Sequence, residues 1–287
     1  MDVTEISTVI AAMGTSLGPD ILAQCRSLFA AEQVALADGA LPVAVDCVYG
    51  PDPRNRLDLY GAPPHGPAPV VLFVHGGGFL HGDKGGAGDQ WPNAHIGRWA
   101  ARQGWLGAVM NYRLAPDHAW PSGAQDVVQA IAWLRNNVAE FGGDPARIVL
   151  MGTSAGSVHC AGAMALHADL PLAGVVLLSG LYGYTPLEDR DTAYYGDLSL
   201  YPQRMPRDAV VGTHLPLMVA CAQFDPPRFQ AEFVGLLQER LKRHGTLPRA
   251  TISSGHNHYS MPMHLGTSDQ RLADEICDFV RETTANV

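Results

Sequence analysis

Apolar positions follow two rhythms along this chain. Short unbroken runs, such as Val70-Val71-Leu72-Phe73-Val74 and Ile148-Val149-Leu150-Met151, have the length of strands buried on both faces. Between them lie longer stretches in which apolar residues return every three or four positions, the period of an amphipathic helix. This pattern predicts strands over Val43–Tyr49, Arg56–Tyr60, Val70–His75, Leu106–Tyr112, Arg147–Gly152, Gly174–Leu178, Leu215–Ala222 and Arg249–Ser253. It predicts helices over Pro92–Arg102, Gly123–Glu140, Ala155–Leu166, Arg228–Arg243 and Ser268–Thr284. The first two strands alternate apolar and polar residues across a short connection at Gly50-Pro51-Asp52-Pro53. Eight strands with helices between them give an α/β fold, one mostly parallel sheet covered on both faces.

Two segments depart from this alternation. Asp20 to Ala37 has helical spacing, with Leu22, Cys25, Leu28 and Phe29 on one side. It suits either part of a cap over the C-terminal end of the sheet or a plain packing helix. Leu181 to Val211 is irregular and holds Tyr182, Tyr184, Tyr194, Tyr195 and Tyr201 among prolines and acids. It reads as a lid or pocket wall, or as a surface excursion with its own packing. The expected division is a cap segment over 1–42 and a catalytic domain over 43–287, with a lid insertion at about 181–211.

The composition fits one large domain: 287 residues, 47% hydrophobic and 16% charged. A formal charge of −9 with no Lys/Arg cluster argues against nucleic acid or an anionic membrane as partner. The N-terminal residues lack the positive region of a signal peptide, and no apolar run is long enough to span a bilayer. Five scattered cysteines without a Cys-x-x-Cys pair read as buried thiols in a reducing compartment, so the expected location is cytoplasmic. Cys160 is expected in the core.

Against that background, Gly152-Thr153-Ser154-Ala155-Gly156 stands out, because it joins a buried strand to an Ala/Gly-rich helix. Glycines on both sides permit a turn tight enough to push a serine hydroxyl out above the sheet, at a helix N-terminus. Such a hydroxyl is a poor nucleophile until its setting activates it. A second loop, His75-Gly76-Gly77-Gly78-Phe79, follows the strand at Val70. Three glycines leave bare N–H groups free to approach an oxyanion, and the expected donors are Gly77 and Gly78, with Ala155 as the third. Each such donor is worth roughly 2.7–4 kcal/mol in a transition state. A phosphate-binding reading lacks the required spacing and the Gly-Lys-Ser/Thr signature.

The remaining partners are sought in the order Ser, Asp/Glu, His. Asp225 follows the strand ending at Ala222, and the prolines at 226 and 227 are expected to delay the next helix and stiffen the loop. Glu188 and Asp189 are the reserve acids. Two histidines compete for the base, His256 and His258. His258 is preferred because an aromatic residue and then Ser260-Met261-Pro262 let the chain turn toward the last helix; His256 would lie behind it or face solvent. His75 is expected to order its loop, with His159 and His167 packing on the elbow helix. The His-x-His pair also raises a metal reading, but the dispersed cysteines and the lack of His-Glu-x-x-His speak against it, and no metal or cofactor is expected.

Taken together, His75–Phe79, Asn111-Tyr112-Arg113-Leu114-Ala115-Pro116, Phe141-Gly142-Gly143-Asp144-Pro145, Gly152–Gly156, Asp225-Pro226 and His258 resemble the bacterial hormone-sensitive-lipase-like esterases of the α/β-hydrolase superfamily. The resemblance runs from about Val43 to the C-terminus. It implies a cofactor-free serine carboxylesterase with a small helical cap built partly from the N-terminal residues, and it is compatible with a homodimer. The chain departs from that family at Thr153 and Asn111, where many members carry Asp, and at Tyr259-Ser260 after the histidine. Tyr259-Ser260 and Gly82-Asp83-Lys84 are similar to arylformamidase-type and small xylan-esterase-like relatives.

The expected reaction is hydrolysis of a short-acyl or aryl ester of a small molecule through an acyl-enzyme. Ser154 attacks, His258 transfers protons and Asp225 orients His258. Phe79, Tyr182, Tyr194 and Tyr195 are the candidate substrate-binding residues. Two alternatives stand beside it. One is formamide or amide hydrolysis by the same residues; the other is a catalytically silent hydrolase fold that binds a small ligand.

Overall fold

The computed structural model describes residues 2–61, 66–86 and 91–285. Met1 of the expected cap segment and Asn286 and Val287 of the expected catalytic domain lie outside them.

All eight expected strands are present in a single sheet: β1 (Pro42–Val48), β2 (Arg56–Tyr60), β3 (Ala68–Val74), β4 (Leu106–Met110), β5 (Gly143–Thr153), β6 (Gly174–Leu178), β7 (Leu217–Phe224) and β8 (Arg249–Asn257). Their spatial order is β1-β2-β4-β3-β5-β6-β7-β8. Pairs β1/β2 and β2/β4 are antiparallel, and the others are parallel. In the central strands alternate residues point to opposite faces, so each strand feeds two cores. Val70, Leu72, Val74, Ile148 and Leu150 fill one. Val71, Phe73, Val149 and Met151 fill the other. Burying a side chain of this size is worth about 1.5–3 kcal/mol, which is why both faces must be covered.

Helices α3 (Ala94–Arg102) and α11 (Arg271–Thr284) supply one cover, through Ile96, Trp99, Leu272, Ile276 and Phe279. The other is supplied by α4 (Ser122–Asn137), α5 (Ala155–Leu166) and α9 (Pro227–His244), through Val127, Ile131, Cys160, Met164 and Leu236. The N-terminal residues form α1 (Val3–Met13) and α2 (Pro19–Asp38), which pack through Ile6, Ile10, Cys25 and Phe29 against Trp91 and Met263. Helix α1 was not anticipated from the apolar pattern. Its signal is a capping box: Glu5 N–H donates to Asp2 Oδ1 (2.8 Å) and Asp2 N–H donates to Glu5 Oε2 (3.0 Å).

Residues 181–211 are more regular than expected, holding the short helices α6 (Thr192–Tyr195), α7 (Tyr201–Arg204) and α8 (Arg207–Gly212). Another short helix, α10 (Ser260–Met263), follows β8. Two further expectations are corrected. Helix α9 starts at Pro227 itself, because proline at a first helical position loses no hydrogen bond and already has the right φ. His167 is exposed at the end of α5 and does not pack. Among the described residues, no helix is long and apolar enough to cross a membrane.

Burial lowers the pKa values of four histidines inside this frame, to about 4 for His75 and His95 and about 3 for His159 and His264. Their folded values lie below the unfolded one, so the unfolded chain binds more protons at mildly acid pH. Their contribution is intact above about pH 6.5 and is lost as pH falls toward 4, by up to about 1.4 kcal/mol per pH unit for each. Urea unfolding at about pH 7 and about pH 5 should show a clearly less stable protein at the lower value. Equal stabilities would contradict neutral burial of this set.

Candidate active site

The strand-to-helix junction after β5 places Ser154 at φ 53°, ψ −121°, a left-handed setting that costs a non-glycine residue about 1–3 kcal/mol. Its neighbours hold it there. A Cβ on Gly152 would sit 2.6 Å from the Gly156 backbone, and a Cβ on Gly156 would meet the Val74 and His75 carbonyl oxygens. Ser154 N–H donates to Leu178 O (2.8 Å). Ser157, one turn into α5, donates to Gly152 O (2.7 Å) and accepts from Leu178 N–H (3.0 Å), tying the elbow to β6.

Ser154, His258 and Asp225 form one hydrogen-bonded chain. His258 Nε2 lies 2.9 Å from Ser154 Oγ, and His258 Nδ1 lies 2.7 Å from Asp225 Oδ1. A carboxylate on Nδ1 fixes the proton there and leaves Nε2 to accept from the hydroxyl. Asp225 is fully buried, and its second oxygen accepts from Ser179 Oγ (2.5 Å) and Ala222 N–H (2.7 Å). Ser179 was missed in the sequence. Like Ser154 it follows a parallel strand and has a positive φ, 46°. Its place directly after the β6 run is the readable signal.

The competing groups lie elsewhere. His256 is buried rather than facing solvent, with Nε2 3.1 Å from Asp269 Oδ2 and Nδ1 3.1 Å from Ser260 Oγ. Glu188 is exposed and pairs with Arg190 and Arg228, and Asp189 is exposed. His256 and His258 part because the strand ends between them. Asn257 Oδ1 accepts from Tyr259 N–H (3.1 Å) and Ser260 N–H (2.9 Å), turning the chain into α10. His256, His264 and Asp269 bring potential ligand atoms within 4.8 Å of one another. The two imidazoles stack at 3.8 Å, and Asp269 is also bonded to Arg271 and His256. Burial alone would raise the Asp269 pKa, but its bonds to Arg271 and His256 outweigh that and hold it well below the carboxylate range.

The triple-glycine loop runs beside Ser154: a Cβ on Gly76 would lie 3.2 Å from Ser154 Cβ. Gly77 (φ 132°) and Gly78 (φ 60°) are exposed, and among the described residues their N–H groups have no protein acceptor. Ala155 is the first residue of α5, where an N–H has no partner within its own helix. Phe79 stacks on Tyr194 (4.5 Å, 6°) and meets Tyr195 edge-on (5.5 Å). All three belong to a buried cluster with Ala155, Leu181 and Phe229, against which Leu17 of the α1–α2 link packs. Phe229 also lies 4.3 Å from the His258 ring. Tyr182 is buried in the larger sheet core and not in this cluster.

This fold recurs in solved structures. A structure titled "Bacterial Heroin Esterase" superposes with a TM-score of 0.73 and 22% identity over 98% of this chain and 97% of that one. The chain has the α/β-hydrolase fold. Residues 57–174 of the chain match the BD-FAE family model. It is 40% identical over 157 residues to "Esterase LipC" of Mycobacterium tuberculosis (strain ATCC 25618 / H37Rv), a match covering 50% of this chain and 38% of that protein. It is 44% identical over 128 residues to "Probable isoprenylcysteine alpha-carbonyl methylesterase ICMEL1" of Oryza sativa subsp. japonica, covering 44% of this chain and 28% of that protein. The matches thus span less than two fifths of these curated relatives.

Because Gly156 closes on β3, the elbow should not tolerate even a methyl group there. Gly156→Ala should cost at least about 1–3 kcal/mol in urea unfolding. A variant of wild-type stability would show that the elbow has slack the structure does not contain.

Proposed function

We propose that this protein is a serine carboxylesterase acting on short-acyl or aryl esters of small molecules. The reading rests above all on the continuous line of hydrogen bonds from Asp225 through His258 to Ser154. In the proposed mechanism His258 Nε2 takes the Ser154 proton as Oγ attacks the ester carbonyl. The N–H groups of Gly77, Gly78 and Ala155 receive the developing oxyanion. His258 then protonates the leaving alcohol, and water reverses the sequence to release the acid. Asp225 stays ionised and stabilises the imidazolium.

The buried aromatic cluster of Phe79, Tyr194 and Tyr195 next to Ala155 gives the site an apolar wall, which supports an acyl or aryl ester of a small molecule as substrate. Tyr182 acts in this reading only from behind the wall. Residues 1–42 and about 181–211 form the cap. Leu17 packs on the aromatic cluster, and Gly18 N–H donates to the hydroxyl of Tyr259, the residue after His258 (3.2 Å). Five free cysteines suit a cytoplasmic setting.

Ser154→Ala should lower turnover of p-nitrophenyl acetate and butyrate by a factor on the order of 10⁶ while leaving thermal unfolding unchanged. His258→Ala should lose comparable activity, and His256→Ala should keep most of it. Undiminished hydrolysis by pure Ser154→Ala protein would refute the nucleophile. Turnover of N-formylkynurenine exceeding that of aryl acetates would move the assignment to amide chemistry. A wild-type protein that a fluorophosphonate does not label would be a binding protein.

A further inference from the structure

Gly82-Asp83-Lys84 and Asn111, which set this chain apart in sequence, meet behind the triple-glycine loop. Lys84 N–H donates to Asn111 Oδ1 (2.6 Å), and Asn111 Nδ2 donates to Asp83 Oδ2 (2.8 Å). The other Asp83 oxygen accepts from Gly85 N–H (2.9 Å). The Lys84 ammonium reaches the opposite way, to Asp58 Oδ2 (2.7 Å) on β2 and Asp46 Oδ1 (3.0 Å) on β1. Burial works against the charge on Lys84, but the two carboxylates outweigh it and raise its pKa. The segment is therefore anchored at one end to the antiparallel edge of the sheet and at the other to the end of β4.

It is also in hard contact with the loop it backs. A Cβ on Gly77 would run into the His81 carbonyl, and one on Gly82 would fall against the His75 ring and Gly76 O. His81 N–H donates to Gly77 O (3.1 Å), and Arg54 Nη2 donates to Gly82 O (2.8 Å). Residues 81–82 thus form the floor on which Gly76 and Gly77 rest, and Asp83, Lys84 and Asn111 fix that floor.

We infer that Asp83 and Asn111 are positioning residues that hold the Gly77 and Gly78 N–H groups in place for the oxyanion, with Lys84 as the anchor that ties them to the sheet. The identity of residue 111 follows from its two partners. It must accept from a backbone N–H and donate to a carboxylate, which an amide does with two separate atoms. An aspartate there would lose the donor and set a second negative charge against Asp83. The inference rests on the esterase reading above.

The test uses full-length protein with Asp83→Ala, whose side chain is at the surface, with Asn111→Asp, and with the exchanged pair Asp83→Asn/Asn111→Asp. For each, kcat and KM for p-nitrophenyl acetate are measured, with inhibition by phenylboronic acid, which becomes tetrahedral on the serine, and thermal unfolding. Asp83→Ala and Asn111→Asp should lower kcat roughly ten- to a hundredfold, with KM within about threefold. Boronate affinity should fall in step with kcat. The exchanged pair, which restores one carboxylate facing one amide, should recover kcat to within about threefold of wild type. Unchanged kcat in Asp83→Ala would overturn the inference. So would a loss that follows stability alone and leaves boronate affinity intact in the folded fraction, or an exchanged pair no better than Asn111→Asp. If wild-type turnover does not depend on Ser154, the esterase reading itself has failed, and that result is separate from these.

Discussion

Everything at this site hangs on how closely the first turn of α5 approaches the end of β3. The missing side chain of Gly156 lets the helix sit against the Val74 and His75 carbonyls. That contact fixes Ser154 in its left-handed conformation and also sets the triple-glycine loop, which leaves β3 at His75, beside the hydroxyl. Two features with separate sequence signals are thus one mechanical unit. The unfavourable backbone of Ser154 is sustained by what surrounds it: the bond from its N–H to Leu178, the Ser157 hydroxyl bridging β5 and β6, and the close glycine contacts. The left-handed Ser179 repeats the device one strand over, where its hydroxyl steadies the buried carboxylate of Asp225.

Much of this was legible beforehand, for identifiable reasons. Strands buried on both faces leave unbroken apolar runs, so all eight were found, and Ser154, Asp225 and His258 stood at strand ends where the chain must turn. What was hidden depends on side chains meeting across long sequence separations. The acid's support from Ser179 is 46 residues distant. The choice between His256 and His258 turns on where β8 ends, and an alternating pattern does not mark that point: residues two apart on a strand share a face until the strand stops. Asn257 stops it with its own side chain. Helix α1 was passed over because its apolar stripe is short, although Asp2 and Glu5 announce its start. The prolines after Asp225 were read as a delay to the helix, when the second of them begins it.

The α1–α2 link and the 181–211 excursion converge from distant parts of the chain. Leu17 reaches the aromatic cluster from one side, and Tyr194, Tyr195 and Tyr201 reach it from the other. The cluster is buried like a core, so the shape beside the proposed nucleophile is set by ring-on-ring contact. Gln33 extends the same linkage: its amide donates to the Met263 and Leu265 carbonyls just past the histidine turn (2.8 and 2.9 Å).

Helix α9 begins two residues after Asp225, and one of its faces grips the tyrosine-rich excursion. Glu232, wholly buried, accepts from the N–H groups of Tyr182, Gly183, Tyr184 and Thr185, while Arg228 pairs with Asp191 and binds the Pro186 carbonyl. That single rod, starting beside Asp225, therefore also holds the root of the excursion. Natural or laboratory exchange of that excursion between homologous proteins is consequently constrained at its stem. A donor loop that cannot satisfy one sequestered anion with four consecutive amides would pull on the rod and, through it, on the imidazole 33 residues further along the chain.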